Sequence, residues 1–156
     1  MRIIGIDPGT ATTGFGIIET EKGGKASLVE AGVIRTPAHT PLPERLMTIH
    51  TDITELIKEF QPQIMSVEKL YFAKNVTTAF SVAHARGVIV LAGQVAGIVI
   101  HEYTPLEIKQ AVTGYGRANK AQIQEMVRIM LSLKKVPSPD DAADALAAAL
   151  THSHQL

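Results

Sequence analysis

The chain has 156 residues, enough for one well-buried core and too few for two domains of ordinary size. Its formal net charge is zero, which argues against a uniformly basic nucleic-acid binder, and the lack of cysteine excludes disulfides and thiolate metal sites. No apolar stretch reaches the roughly 20 residues of a membrane span. With no signal peptide before the first acidic residue, we expect a single cytoplasmic domain over 1–156 with no membrane partner.

The first half of the sequence predicts three antiparallel strands and one helix. Apolar patterns separated by turns of small residues, including Gly23 and Gly24, place the strands at 2–6, 14–20 and 26–34. Apolar residues then recur at helical spacing over 46–60, after Pro41 and Pro43 and before Pro62.

The second half alternates strands with helices. Strands are expected at 64–67, parallel to the first strand, and at 99–103; helices are expected at 76–96, 105–112, 119–133 and from Ser138 to about Thr151. The helix over 76–96 is apolar on several faces, which a subunit interface would explain. Ser138 would cap the last helix, with Pro139 at its first position. The order implies an α/β fold, a mixed sheet with helices on both faces.

Basic residues are concentrated between Lys69 and Pro139, where they clearly outnumber the acidic ones. This distribution suits a protein that holds a polyanion on one face. Solvated helix faces would explain the same pattern.

Two acidic residues end neighbouring predicted strands. Asp7 stands in "GIDPGTATTG", directly before Pro8 and Gly9, and a turn-forming role alone would account for it. Glu68 follows the strand that we expect beside it. Acids at the ends of adjacent parallel strands share the crevice where open sheets bind ligands.

The last helix carries further acids in "PSPDDAADALAAAL". Asp140 and Asp141 suit the first turn, where they complement the helix dipole, and Asp141 could complete a capping box with Ser138. Asp144 lies beyond that turn, with alanines around it and no basic residue in register to pair with it. Asp141 and Asp144 are three residues apart and therefore project from one face.

Four converging carboxylates would repel one another unless a cation lay between them or some were protonated. Oxygen ligands without cysteine favour Mg²⁺ or Mn²⁺ over zinc. A pair of such ions can activate water and stabilise both oxygens in phosphodiester hydrolysis. We assign no histidine as a ligand.

The sequence closely resembles the RuvC family of Holliday-junction resolvases over almost its whole length. The motifs are "GIDPGTATTGFG", "VEKLYFAKN", "ARGV", "EIKQAVTGYG" and "DDAADALAAALTH". The resemblance implies a ribonuclease-H-like fold with a five-stranded mixed sheet, and a homodimer with two active sites. It implies catalytic and metal-binding carboxylates at Asp7, Glu68, Asp141 and Asp144, where "DAAD" selects Asp141 over Asp140.

The implied reaction is metal-dependent hydrolysis that nicks two opposed strands of a four-way DNA junction and leaves 5'-phosphate and 3'-hydroxyl ends. We expect Mg²⁺, replaceable by Mn²⁺, with two ions per site. Asp7, Glu68 and Asp144 would bind metal, and Asp141 would either bind metal or orient the attacking water. A two-fold dimer can cut two symmetry-related strands, and the RuvA-RuvB branch-migration complex is an implied partner.

The resemblance also assigns DNA contacts. Tyr71 matches an aromatic position that stacks on a base, a contact worth about 1–3 kcal/mol. Lys109 and Lys120 match basic positions beside the scissile strand. Further candidates for backbone contact are Lys74, Asn75 and Arg86. Core packing for the tyrosine and solvated helix faces for the lysines are the alternatives, and Lys69 departs from the glutamine often found in the family.

Three other functions compete with this one. Actin-like and sugar-kinase proteins share an early aspartate hairpin but need two such domains and a second phosphate loop, for which this chain is too short. A resolvase-like ribonuclease of RNA processing shares the fold, but "DAAD" and "EKLYFAKN" favour the junction enzyme. A non-catalytic DNA-binding module is the third alternative, but its four carboxylates would repel the phosphates of DNA without contributing to a reaction.

Overall fold

The computed structural model describes residues 1–21, 25–70 and 76–156, so the predicted turn at Gly23 and Gly24 lies outside the described residues. The elements of the described chain are β1 (Arg2–Asp7), β2 (Thr12–Thr20), β3 (Ala26–Arg35), α1 (Leu42–Phe60), β4 (Ile64–Glu68), α2 (Val76–Val95), β5 (Val99–Tyr103), α3 (Pro105–Thr113), α4 (Lys120–Met130) and α5 (Asp140–Ser153). Every predicted element is present, with ends shifted by a few residues.

The strands form one five-stranded sheet in the order β3-β2-β1-β4-β5. The pairs β1–β2 and β2–β3 are antiparallel, whereas β1–β4 and β4–β5 are parallel. This confirms the predicted mixed sheet. Ile6 of β1 is level with Val67 of β4, so the residues that follow, Asp7 and Glu68, emerge side by side at one edge.

Helices cover both faces of the sheet, as expected. Successive strand residues point to opposite faces of the sheet, so the isoleucines of β1 pack against the helices on both faces. Ile3 belongs to a hydrophobic cluster with residues of α3, α4 and α5. Ile4 and Ile6 belong to a second cluster with residues of α1 and α2. The central strand is therefore apolar at consecutive positions because both of its faces are buried.

Helix α5 approaches the sheet closely because small residues face each other. A Cβ on Gly5 would lie 2.0 Å from the carbonyl oxygen of Ala145, and one on Gly14 would lie 2.0 Å from that of Asp141. The buried hydroxyl of Ser66 donates a hydrogen bond of 2.6 Å to the carbonyl of Ala148. These contacts fix the start of α5 against the carboxyl end of β1.

Two helix starts differ from the prediction. The N-cap of α5 is Pro139, and no side chain caps the helix, so the expected cap and capping box at Ser138 are wrong: the serine stands one residue too early. Helix α1 begins at Leu42, with Pro43 inside its first turn. Proline is tolerated there because the first backbone N–H groups of a helix have no intrahelical partner.

One side of α2 is apolar and exposed. Phe80, Leu91 and Val95 are 63%, 55% and 77% exposed. By length and composition alone, the stretch Thr78–Val95 could cross a membrane, which corrects the expectation that no apolar stretch is long enough. In the fold, α2 instead packs on α1, and Arg86 forms an ion pair with Glu102 of β5.

Candidate active site

The four acidic side chains predicted to form the site are close enough at the carboxyl edge of β1 and β4 for Glu68, Asp141 and Asp144 to raise the pKa of Asp7. Asp7 and Glu68 are the last residues of those strands, and Asp141 and Asp144 lie in the first two turns of α5. All four are partly buried. Asp7 pairs across the sheet with Gly14, against which the backbone of Asp141 packs, so the sheet and the helix carry their acids to one place.

The acids interact strongly. The pKa of Asp7 is raised from its ordinary value of 3.8 to about 8, chiefly because the carboxyl is buried. The charges of Glu68, Asp144 and Asp141 raise this pKa as well. Lys120 lowers it. Asp7 is therefore mostly protonated at neutral pH.

The pKa of Glu68 is raised as well, but by less than that of Asp7. Burial, followed by the charge of Asp144, raises the pKa of Glu68 to about 6. A hydrogen bond from the protonated Asp7 acts in the opposite direction, as do the charges of Lys109 and Lys120. Burial and the charge of Asp144 thus outweigh the two lysines in their effect on the pKa of Glu68.

Lys120 forms ion pairs with two acids of α5. Its Nζ lies 3.1 Å from Oδ2 of Asp144 and 3.3 Å from Oδ2 of Asp140. Burial raises the pKa of Asp144, and the hydrogen bond and charge of Lys120 oppose that rise. The expectation that no basic residue pairs with Asp144 is therefore wrong, because the partner comes from α4 rather than from the acid's own helix.

The start of α4 fixes the position of this lysine. Asn119 caps the helix and forms a capping box with Gln122, which makes Lys120 the first helical residue. Gln124 of the same helix donates a hydrogen bond of 3.0 Å to Asp140. Sequence reasoning assigned Asp140 to the helix dipole and missed this role, since no local pattern shows which helix will pack against α5.

A cavity of about 240 Å³ opens between these charges. Lys109 and Lys120 line it together with Glu68 and Asp144, above apolar side chains of α3, α4 and α5. The two lysines predicted to lie beside the scissile strand are thus neighbours of two of the carboxylates, and their contact with DNA stays a prediction. The cavity places cations where a phosphate close to the acids would need them.

A second cavity of about 240 Å³ lies toward α2 and shares Glu68 with the first. Asp7, Pro8 and Lys69 line it, and α2 contributes Val82 and Arg86. Glu68 therefore stands between two cavities, each with basic residues in its wall. A polyanionic strand could run from one cavity to the other across the carboxylates.

Of the remaining predicted DNA contacts, the structure describes Arg86. Arg86 reaches the second cavity, but its guanidinium is paired with Glu102, and its Nε is buried without a hydrogen-bond partner in the described part of the chain. Its role in binding DNA stays a prediction. Tyr71, Lys74 and Asn75 lie outside the described residues.

The donor set fits a hard divalent cation, although its side chains do not enclose one. Within residues 1–21, 25–70 and 76–156, no three acidic, histidine or cysteine side chains are arranged around a common ligand position. Asp7 is hydrogen-bonded to Glu68, and Asp144 holds Lys120. Burial, followed by the neighbouring acids, raises the pKa values of Asp7 and Glu68, and a cation bound here would favour their ionised forms.

Comparison with known proteins gives one consistent family. The family model described as crossover junction endodeoxyribonuclease RuvC matches residues 3–152. A protein of that name from Desulfitobacterium hafniense is 54% identical over 156 residues, covering 100% of this chain and 94% of the relative. The protein of that name from Brevibacillus brevis is 55% identical over 153 residues, covering 98% and 92%.

Solved structures agree with the sequence match. The structure of Thermus thermophilus RuvC is 38% identical with a TM-score of 0.91, covering 98% of this chain and 93% of that one. T. thermophilus RuvC in complex with a Holliday junction substrate is 37% identical with a TM-score of 0.93 and the same coverage. The yeast mitochondrial Holliday junction resolvase shares the fold at 11% identity and a TM-score of 0.70. By its sequence, its sheet and the acids that the sheet brings together, this chain belongs to the RuvC family of crossover junction endodeoxyribonucleases, whose activity depends on divalent metal.

Proposed function

We propose that this chain resolves four-way DNA junctions by hydrolysing one phosphodiester bond in each of two opposed strands. The observation that carries the proposal is the meeting of Asp7, Glu68, Asp141 and Asp144 beside a cavity lined by lysines. Support comes from the T. thermophilus relative, which was solved with a Holliday junction substrate. The products would be 5'-phosphate and 3'-hydroxyl ends that a ligase can seal.

The carboxylates are proposed to hold two Mg²⁺ ions, with Mn²⁺ as a substitute. Asp7, Glu68 and Asp144 would be ligands, and Asp141 would be either a further ligand or the group that orients the attacking water. When bound, such ions activate water and stabilise the attacking and leaving oxygens. Oxygen donors without sulfur are the set that Mg²⁺ prefers. To take this role, Asp7 must lose the proton that its raised pKa retains.

Lys120 is proposed to exchange partners when the site is loaded. Its Nζ is held 3.1 Å from Asp144, so that carboxylate and a phosphate compete for one ammonium group. Neutralising Asp144 weakens the ion pair and frees the lysine to contact the scissile phosphate. Lys109 lines the same cavity and can hold the phosphate from α3. The two lysines thus neutralise charge that develops on the phosphate oxygens.

A homodimer is proposed to deliver the paired cuts. The exposed apolar side chains of α2, Phe80, Leu91 and Val95, offer a surface that a second copy could cover. A two-fold axis would give each of two opposed strands its own active site. Binding to the RuvA-RuvB branch-migration complex and action in the cytoplasm, where bacterial DNA lies, belong to the same proposal.

Cleavage of three substrates tests this function. The wild-type protein would be incubated with a mobile four-way DNA junction, a linear duplex and a structured RNA, with Mg²⁺ or with EDTA. We expect paired nicks in the junction that require Mg²⁺, and an Asp7→Asn variant that binds the junction without cutting it. Faster cleavage of duplex or RNA would reject the junction as substrate, and cleavage by Asp7→Asn would reject the proposed metal site.

A further inference from the structure

A chain of hydrogen bonds ties the turn behind Asp7 to helix α2. The hydroxyl of Thr10 donates to the carbonyl of Ser81 at 2.6 Å and accepts from the Ser81 hydroxyl at 2.6 Å. The carbonyl of Thr10 accepts from the hydroxyl of Thr36 at 2.6 Å, and Arg45 donates to that hydroxyl at 2.7 Å. Thr10 is only 6% exposed, so both partners of its hydroxyl are protein groups.

The turn itself is held by other bonds. The hydroxyl of Thr13 donates to the carbonyl of Gly9 at 2.6 Å, and the backbone N–H of Thr36 donates to the carbonyl of Ala11 at 3.1 Å. These contacts close the connection between β1 and β2 without the side chain of Thr10. That side chain instead reaches a residue 71 positions along the chain. Its bond therefore fixes the relation between two elements rather than the shape of one turn.

The two elements that it joins form opposite walls of the second cavity beside the carboxylates. Asp7 and Pro8 line this cavity of about 240 Å³ from the strand side, and Val82 and Arg86 line it from α2. Ser81 directly precedes Val82, and Thr10 follows two residues after Pro8. The Thr10–Ser81 contact thus lies where the two walls meet, close to the acid that ends β1.

We propose that Thr10 and Ser81 are positioning residues that hold the α2 wall at a fixed separation from Asp7 and so shape the cavity entered by the nucleic-acid strand. This inference rests on the proposed function and adds a specific task for two hydroxyl groups. Neither hydroxyl takes part in the chemistry. Their effect is on alignment, to which reaction rates are sensitive because small misplacements of a reacting group slow the chemical step.

A set of matched variants separates alignment from stability. Thr10→Val keeps the shape and removes the hydroxyl, Thr10→Ser restores it, and Ser81→Ala removes the bond that the Ser81 hydroxyl donates. Thr54→Val is the control, because Thr54 makes a similar bond of 2.7 Å to the carbonyl of His50 within α1. Junction cleavage would be measured under single-turnover conditions at saturating Mg²⁺, together with junction binding in EDTA and thermal unfolding.

We expect Thr10→Val to slow cleavage about tenfold, the loss that corresponds to one or two net hydrogen bonds. Junction binding should stay within about twofold, because no phosphate contact is removed. Thr10→Ser should cut at nearly the wild-type rate, Ser81→Ala should lie between them, and Thr54→Val should cut normally. Equal rates for Thr10→Val and Thr54→Val, or no rescue by Thr10→Ser, would overturn the proposal.

Hydrogen exchange gives a readout that needs no substrate. Loss of the contact should raise amide exchange in peptides covering 78–86 about three- to tenfold in Thr10→Val, and not in Thr54→Val. Unchanged exchange there would overturn the positioning role. If the wild-type protein fails to cut any junction, the proposed function fails, while this comparison still decides whether Thr10 holds α2.

Discussion

Replacing Asp7 by asparagine should stabilise the protein in the absence of divalent metal, by an amount that grows with pH. The folded chain raises the pKa of this carboxyl from 3.8 to about 8. Well below pH 3.8 both folded and unfolded chains hold the proton, so the ionisation of Asp7 has no effect on stability. Between the two values the folded chain keeps a proton that the unfolded chain releases, and stability falls by about 1.4 kcal/mol per pH unit.

The magnitude follows from the size of the shift. Above pH 8 the whole cost of an ionised Asp7 is present, about 6 kcal/mol for the shift of its pKa from 3.8 to about 8. Between pH 5 and pH 7, Asp7 should lower the free energy of unfolding of the wild type by about 3 kcal/mol, and Asp7→Asn should not suffer this loss. The advantage of the variant should therefore widen by that amount.

Urea unfolding followed by far-UV circular dichroism, in EDTA at pH 5, 6 and 7 and at equal protein concentration, measures this difference. Glu59→Gln, which removes an exposed acid of α1, controls for the loss of an acidic side chain in general. A free-energy difference between Asp7→Asn and the wild type that stays constant within about 0.5 kcal/mol across this range would refute the reasoning. It would mean that Asp7 is not buried among like charges.

Three further predictions concern cleavage and assembly. At limiting Mg²⁺ the cleavage rate should rise from pH 6 to pH 8, because metal must displace protons from Asp7 and Glu68, whose pKa values are raised to about 8 and about 6. Saturating Mg²⁺ should move this rise to lower pH. A pH profile that does not change with the Mg²⁺ concentration would contradict the prediction. Lys120→Ala should slow single-turnover junction cleavage at least about tenfold. Lys134→Ala, which removes an exposed lysine, is the control and should cut at the wild-type rate. Equal rates for the two variants would place Lys120 outside the phosphate site. If the proposed homodimer forms through α2, Leu91→Glu should convert it to monomers in size-exclusion chromatography with light scattering, since a charge would replace an apolar contact. A dimer of unchanged mass would exclude this face of α2 as the interface.

Much of the site could be predicted because it depends on local rules. The side-by-side position of Asp7 and Glu68 follows from two apolar runs that pair in parallel, each ending in an acid. The shared face of Asp141 and Asp144 follows from helical periodicity alone. For these four residues, strand pairing and helical periodicity already determine on which edge or face each side chain lies.

Other parts depend on how elements pack, which local patterns do not encode. Lys120 binds Asp144 because α4 lies against α5, a contact between helices separated by a loop with no pairing signal of its own. The hydroxyl of Thr10 lies in a turn of small residues, where no local pattern points to its partner Ser81 on α2. The cap of α5 was misplaced by one residue because serine followed by proline suits either of two registers.

The close approach of α5 to the sheet has a mechanical consequence. At Gly5 and Gly14 the helix rests on backbone, so no side chain lies between them that could change rotamer and let the helix shift. Asp141 and Asp144 should therefore move with Asp7 and Glu68 as one stiff body, whose spacing is insensitive to temperature and to the load of a bound junction. The opposite wall is held in a different way, because α2 is fixed by the apolar packing of Ala85 and Ile89 in the second cluster and by the hydroxyl contact between Thr10 and Ser81.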